Sequence, residues 1–114
     1  MITVDDVRAV AENLPRSYEV VVHGRIKFRV GQIVYLAFSR DESEIGFGFP
    51  KEEREYLVAG EPEKFFMPSQ HDLRFQWVEA WTAKLDYAEM EDLVVYAWSM
   101  CVPRYVWEPY VRRD

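Results

Sequence analysis

The 114 residues are 49% hydrophobic and 16% aromatic, enough for one self-sufficient core rich in large rings and incompatible with intrinsic disorder. Fourteen basic residues against 20 acidic ones leave a net charge of −6. That balance counts against a dedicated duplex-DNA binder, because phosphate neutralisation supplies most of such a protein's affinity. A single cysteine, Cys101, excludes an internal disulfide and a thiolate zinc cluster.

The N-terminus reads Met-Ile-Thr-Val-Asp-Asp, with acids where a signal peptide carries basic residues. No run approaches the ~18 apolar residues of a membrane span. Cytoplasmic localisation, no membrane partner, no cofactor and no metal are the expectations.

In chain order, Thr3 and Asp6 read as a weakened capping box, with Asp in place of Glu or Gln, ahead of Val4, Val7, Val10, Ala11 and Leu14 at helical spacing, and Pro15 closes this first helix. The period then falls to two. Tyr18 to His23 reads as a strand, and Gly24-Arg25 as a tight turn. Ile26, Phe28 and Val30 alternate with Arg25, Lys27 and Arg29, the pattern of a half-buried second strand. Gly31-Gln32 turns the chain into Ile33 to Ser39, an almost unbroken apolar run expected to be a central strand covered on both faces. After the polar loop Arg40-Asp41-Glu42-Ser43, Ile45, Phe47 and Phe49 alternate with Gly46 and Gly48. Glycines on one strand face permit close backbone approach or leave room for something bulky to lie across them.

Pro50 suits the first position of a short acidic helix capped by Gly60, and Glu61 to Phe66 adds a further turn. Met67 to Asp72 reads as a loop. Leu73 to Thr82 places Phe75, Trp77 and Trp81 on one parity of a long fifth strand, and Glu79 on that parity points to an edge position or a bulge. Asp86 and Glu89 start a last helix whose stripe is Met90, Leu93, Val94, Ala97, Trp98 and Cys101, ended by Pro103. The expected fold is α+β, a single antiparallel sheet of about five strands with helices on one face, in the order α-β-β-β-β-α-β-α. Residues 1–103 form the domain and 104–114 a C-terminal tail with a short turn around Tyr105 to Tyr110. In this arrangement the odd-numbered rings are buried under the helices and the basic row lies outside.

Several stretches taken together resemble the MmcQ/YjbR family: Leu14-Pro15-Arg16, Phe28-Arg29-Val30-Gly31-Gln32-Ile33, Gly46-Phe47-Gly48-Phe49-Pro50, Trp77-Val78 and Val102-Pro103. The resemblance runs from about Thr3 to Pro103. It implies a compact α+β fold akin to secretion-chaperone-like and frataxin-like domains. It also implies a DNA-binding label that rests largely on fold analogy. Many members place a lysine at the end of the fourth strand; here Phe49 ends it and Lys51 lies beyond Pro50.

Arg25, Lys27 and Arg29 emerge from one strand face about 6.8 Å apart, and Arg16 extends the row. The functional reading is weak, salt-sensitive contact with DNA; the bland one is a solvated face that keeps an exposed strand from aggregating. An acidic series (Asp41, Glu42, Glu44, Glu52, Glu53, Glu55, Glu61, Glu63) is either a cation or basic-partner surface or plain helix-dipole complementation. Phe65, Phe66, Phe75, Trp77 and Trp81 offer a stacking platform or simply core. His23 and His71 lack metal or triad spacing, and Cys101 belongs to an apolar stripe. Tyr105, Trp107 and Tyr110 beside Arg112 either mark a partner or homodimer interface or fold back on the sheet. Three readings stand. The first is a non-enzymatic binding module that touches DNA, and the second a protein-interaction or homodimerisation domain. The third is an enzyme with a pocket near Gly46, Gly48 and Trp77, supported by shape alone.

Overall fold

The computed structural model describes residues 1–111. Thr3 Oγ1 accepts the Asp6 backbone N–H while the Asp6 carboxylate accepts that of Thr3, closing a reciprocal box at the head of α1 (Val4–Ala11). Asp86 and Glu89 build the same device at the start of α3 (Tyr87–Ser99). Between the two helices run β1 (Ser17–Val22), β2 (Arg25–Val30), β3 (Ile33–Phe38), β4 (Glu44–Gly48), α2 (Lys51–Gly60), β5 (Phe65–Phe66) and β6 (Trp77–Trp81). A short α4 (Arg104–Trp107) and a 3-10 turn at Glu108–Tyr110 follow α3. No helix among the described residues is long and apolar enough to cross a membrane.

The strands form one antiparallel sheet in the order β1-β2-β3-β4-β6-β5. The α+β class and the element order match the sequence reading, with six strands instead of about five. The extra one is Phe65-Phe66, expected to close a helical turn; it pairs with Ala80 and Glu79. The strand expected over Leu73 to Thr82 is confined to its second half, because a 3-10 turn at Gln70–Asp72 and the Phe75 N–H bond to Asp72 O curl its first half away. The β1–β2 turn is His23-Gly24, one residue earlier than expected. Both residues have positive φ (53° and 77°), as a two-residue hairpin loop matched to strand twist requires. Gly60 is the last residue of α2 and not a left-handed cap.

Register sorts the sheet into two faces. Phe28, Leu36, Phe47 and Val78 pair in one row across four strands, and Phe38, Ile45, Ala80 and Phe65 in another. All eight are buried and form the core with Val7 and Ala11 of α1 and Met90, Val94 and Trp98 of α3. Tyr35 is an extra residue on β3, between the pairs Phe28–Leu36 and Arg29–Val34, and its hydroxyl meets Ser17 Oγ at 2.6 Å. One expectation is overturned here. In β6 the even positions Val78 and Ala80 face the helices, so Trp77, Glu79 and Trp81 stand on the other face and not in the core.

The tail folds back. Trp107 packs half-buried against the core, and the Tyr110 ring meets Trp98 edge-on at 5.2 Å. The Trp98 indole N–H is itself donated to Pro15 O at 2.8 Å, tying the end of α1 to α3.

Candidate functional site

On the face away from α1 and α3, one row crosses all six strands: Val20, Lys27, Ala37, Gly46, Glu79 and Phe66. Its middle two positions, Ala37 and Gly46, carry no more than a methyl. Lys27 stands on one side of that low ground and Glu79 on the other. Residues from the loop before β6 (Asp72, Phe75, Gln76) and from the end of α3 (Met100, Cys101) rise around it, enclosing a cleft of about 580 Å³. That volume is in the range of small-molecule sites.

Of the two strand glycines, Gly46 is used as a close-approach position, whereas Gly48 has only ordinary contacts with Ala97 and Tyr35. A Cβ on Gly46 would lie 2.3 Å from Trp77 Nε1 and 2.6 Å from a Glu79 oxygen, so the indole and the carboxylate rest directly on the β4 backbone. Trp77 Nε1 donates to Glu79 Oε2 at 2.5 Å. Glu79 Oε1 has no hydrogen-bond partner among the described residues. Burial pushes the Glu79 carboxyl up to about 7, only partly offset by the Trp77 hydrogen bond, and Glu44 adds to the rise while Arg25 opposes it.

The opposite side carries the cations. Arg25 Nε donates to Phe38 O at 2.9 Å, which fixes the guanidinium and leaves its two terminal nitrogens without a protein partner among the described residues. Lys27 is half-buried, and its pKa is lowered first by desolvation and then by Arg25 and Arg29 on either side; Asp72 opposes the fall. Arg29 Nε is buried with no hydrogen-bond partner. The basic row therefore differs from the solvated outer face expected of it, since two of its members line a concave site that also holds two carboxylates. Arg16 stands apart: it is exposed, with a positive φ of 67°, and its guanidinium reaches Tyr105 OH at 3.4 Å.

The cleft wall is built from inside by a residue the sequence did not single out. Arg54, on α2, is 6% exposed and donates to the carbonyls of Phe75 (2.8 Å), Trp77 (3.0 Å) and Leu73 (2.6 Å). Gln76 closes the same loop, accepting the Phe49 N–H at its carbonyl and the Lys51 N–H at Oε1. The wall is thus preformed.

The other candidates scatter. Phe65 is core, Phe66 and Trp81 stack on each other at 4.7 Å, and Phe75 stands exposed with Arg74 over its ring. Cys101 is half-buried, packed against the core on one side and lining the cleft on the other; burial pushes its thiol up, and Sγ reaches Ala97 O. His23 and His71 are exposed in turns outside the cleft. The acidic series divides. Asp41 accepts from Ser39 and Ser43 within its own turn, and Glu61 pairs with Lys64, while Glu53 accepts from Tyr96. Tyr105 is exposed, Trp107 and Tyr110 are engaged as above, and Arg112 lies outside the described residues.

Against known proteins, the YjbR family model matches residues 12–100. The crystal structure of Deinococcus radiodurans protein DR2400, with a DUF419 domain, superimposes with a TM-score of 0.77 over 96% of this chain and 88% of that one, at 19% identity. At that identity the likeness speaks for the fold alone. No curated protein matches the chain.

Proposed function

The chain belongs to the YjbR family, and we propose that it is a non-enzymatic binding module whose cleft takes the anionic group of its ligand between Arg25 and Lys27. The observation that carries this reading is Lys27, half-buried and flanked by two arginines on one strand, so that desolvation and like charge both work against its proton. An anion in the cleft relieves both terms, and Arg25 presents two uncommitted nitrogens in a fork suited to a carboxylate or phosphate. Burial pushes the Cys101 thiol at the cleft up, which works against its use as a thiolate nucleophile. The concave setting, with Asp72 and Glu79 among the lining residues, favours a small anion or an unpaired nucleic-acid strand over a duplex laid across the row.

The test is a titration of labelled single- and double-stranded DNA, and separately of pyrophosphate and citrate, at two salt concentrations. Each runs beside a folded variant carrying R25A and K27A. Salt-sensitive binding of at least one anion, lost in the variant, supports the reading. Losing two phosphate contacts lowers the slope of log K against log salt by about 1.4 on a single strand. Binding that the variant keeps in full moves the site elsewhere, and no binding of any anion at low salt removes the proposal.

A further inference from the structure

The cleft is asymmetric in a way an anion alone does not use. Across the row from Lys27, three inter-strand steps of about 4.8 Å each, stands a carboxylate held in a fixed pose. Trp77 occupies Oε2 of Glu79, so that Oε1 is the oxygen with no partner in the protein. That oxygen is open to a donor from solvent or from a ligand, and a ligand donor placed there is selective. Between the two sides the floor includes Ala37 and, on β4, Gly48, with no side chain beyond a methyl; the Trp77 indole, which covers Gly46, and the exposed Phe75 ring supply aromatic surface beside it. A flat ring fits low ground bordered by rings.

Resting on the anion reading above, we propose that the ligand is a small ring-bearing acid. Its carboxylate or phosphate sits on Arg25 and Lys27, its ring lies over Ala37 and Gly48 beside Trp77 and Phe75, and an N–H or O–H on the ring donates to Glu79. Glu79 is then the specificity-determining residue of the cleft, and Arg25 with Lys27 the anchoring pair. Aromatic carboxylates and nucleoside monophosphates share this chemistry, and the experiment separates them.

Binding is followed by NMR of the tryptophan indole N–H signals at pH 8, above the raised pKa of Glu79, so that Oε1 is an ionised acceptor. One arm compares acetate, phenylacetate and 4-hydroxyphenylacetate; the other compares phosphate, N3-methyluridine 5′-monophosphate and uridine 5′-monophosphate, which differ in the ring N–H. The expected result in at least one arm is a 10- to 100-fold preference, roughly the worth of a hydrogen bond to a charged acceptor, for the probe whose ring carries the donor. In the variant E79Q, Trp77 takes the single amide oxygen and turns the NH2 toward the ligand, so the preference falls to about threefold or less. Donor-bearing and donor-free rings binding equally in the parent overturns the inference while leaving the anion reading intact. A preference that survives in E79Q overturns the role of Glu79. Failure of all six probes, acetate and phosphate included, counts against the anion reading itself.

Discussion

Replacing Glu79 by glutamine isolates a stability term written into the cleft. Burial is the main reason its carboxyl rises from an ordinary 4.5 to about 7. Below pH 4.5 the group is protonated whether the chain is folded or not, so the native state loses nothing through it. As pH climbs from 4.5 to 7, the unfolded chain ionises Glu79 freely while the folded chain holds the proton, and folding is progressively disfavoured. Each pH unit of that separation costs about 1.4 kcal/mol, which makes the full penalty about 3 kcal/mol by pH 8. Glutamine keeps the shape and can still accept from Trp77, but it has no proton to hold.

The assay is urea unfolding of parent and E79Q at pH 4, 5.5 and 8, read as the difference between the two proteins. Carboxylates held low by partners, such as Glu19 beside Arg8 and Asp41 beside Ser43, titrate alike in both and cancel. The variant should match the parent at pH 4 and exceed it by about 3 kcal/mol at pH 8, with most of the gap opening between pH 4.5 and 7. A gap that does not change with pH, or a variant less stable than the parent at pH 8, refutes the argument that burial at Glu79 sets this term.

Arg54→Ala leaves three carbonyls of the cleft wall without their donor; it should cost about 3 kcal/mol in urea and speed amide exchange around residues 73–77 before other regions. Gly46→Ala drives a methyl into the Trp77–Glu79 pair. A loss of about 1–3 kcal/mol and a displaced Trp77 indole signal are expected, since the rigid ring must move along with the flexible carboxylate. Tyr110→Ala removes the ring packed on Trp98; the change should be small, about 1 kcal/mol, and should leave anion binding at Arg25 and Lys27 unaltered.

Most of the fold was legible because its signals are local. Two reciprocal acid caps, a change of hydrophobic period from 3.6 to 2, and turn glycines locate β1 to β4 within a residue or so, and α1 and α3 within two or three. The same local rules missed β5, whose two residues form a strand only by pairing with β6. They also overextended β6, because the first half of Leu73 to Thr82 is tied to an arginine on α2 and not to a neighbouring strand. The parity of the rings was visible, but which parity meets the helices is decided by register with β4, and no local pattern carries that information. For the site, Gly46 did announce close approach, and the basic parity of β2 was plain. What was illegible was the partner: Glu79 lies 33 positions beyond Gly46 and joins it only through the crossover that sets β6 against β4.

That crossover makes core and cleft two faces of one choice. With side chains alternating, sliding β6 by one residue against β4 would turn Glu79, Trp77 and Trp81 toward α1 and α3 and expose Val78 and Ala80. The slipped chain would bury a carboxylate among Phe47, Met90 and Val94 and leave room there for no indole. The hydrophobic rows therefore hold the polar row in place: Val78 opposite Phe47 and Ala80 opposite Ile45 allow Glu79 only the position opposite Gly46. Arg54 reinforces the register at its other end by gripping Trp77 O where β6 begins. Cleft geometry on this fold is thus a consequence of core packing. Core substitutions that loosen the β4–β6 pairing should degrade the cleft even though none of them touches it.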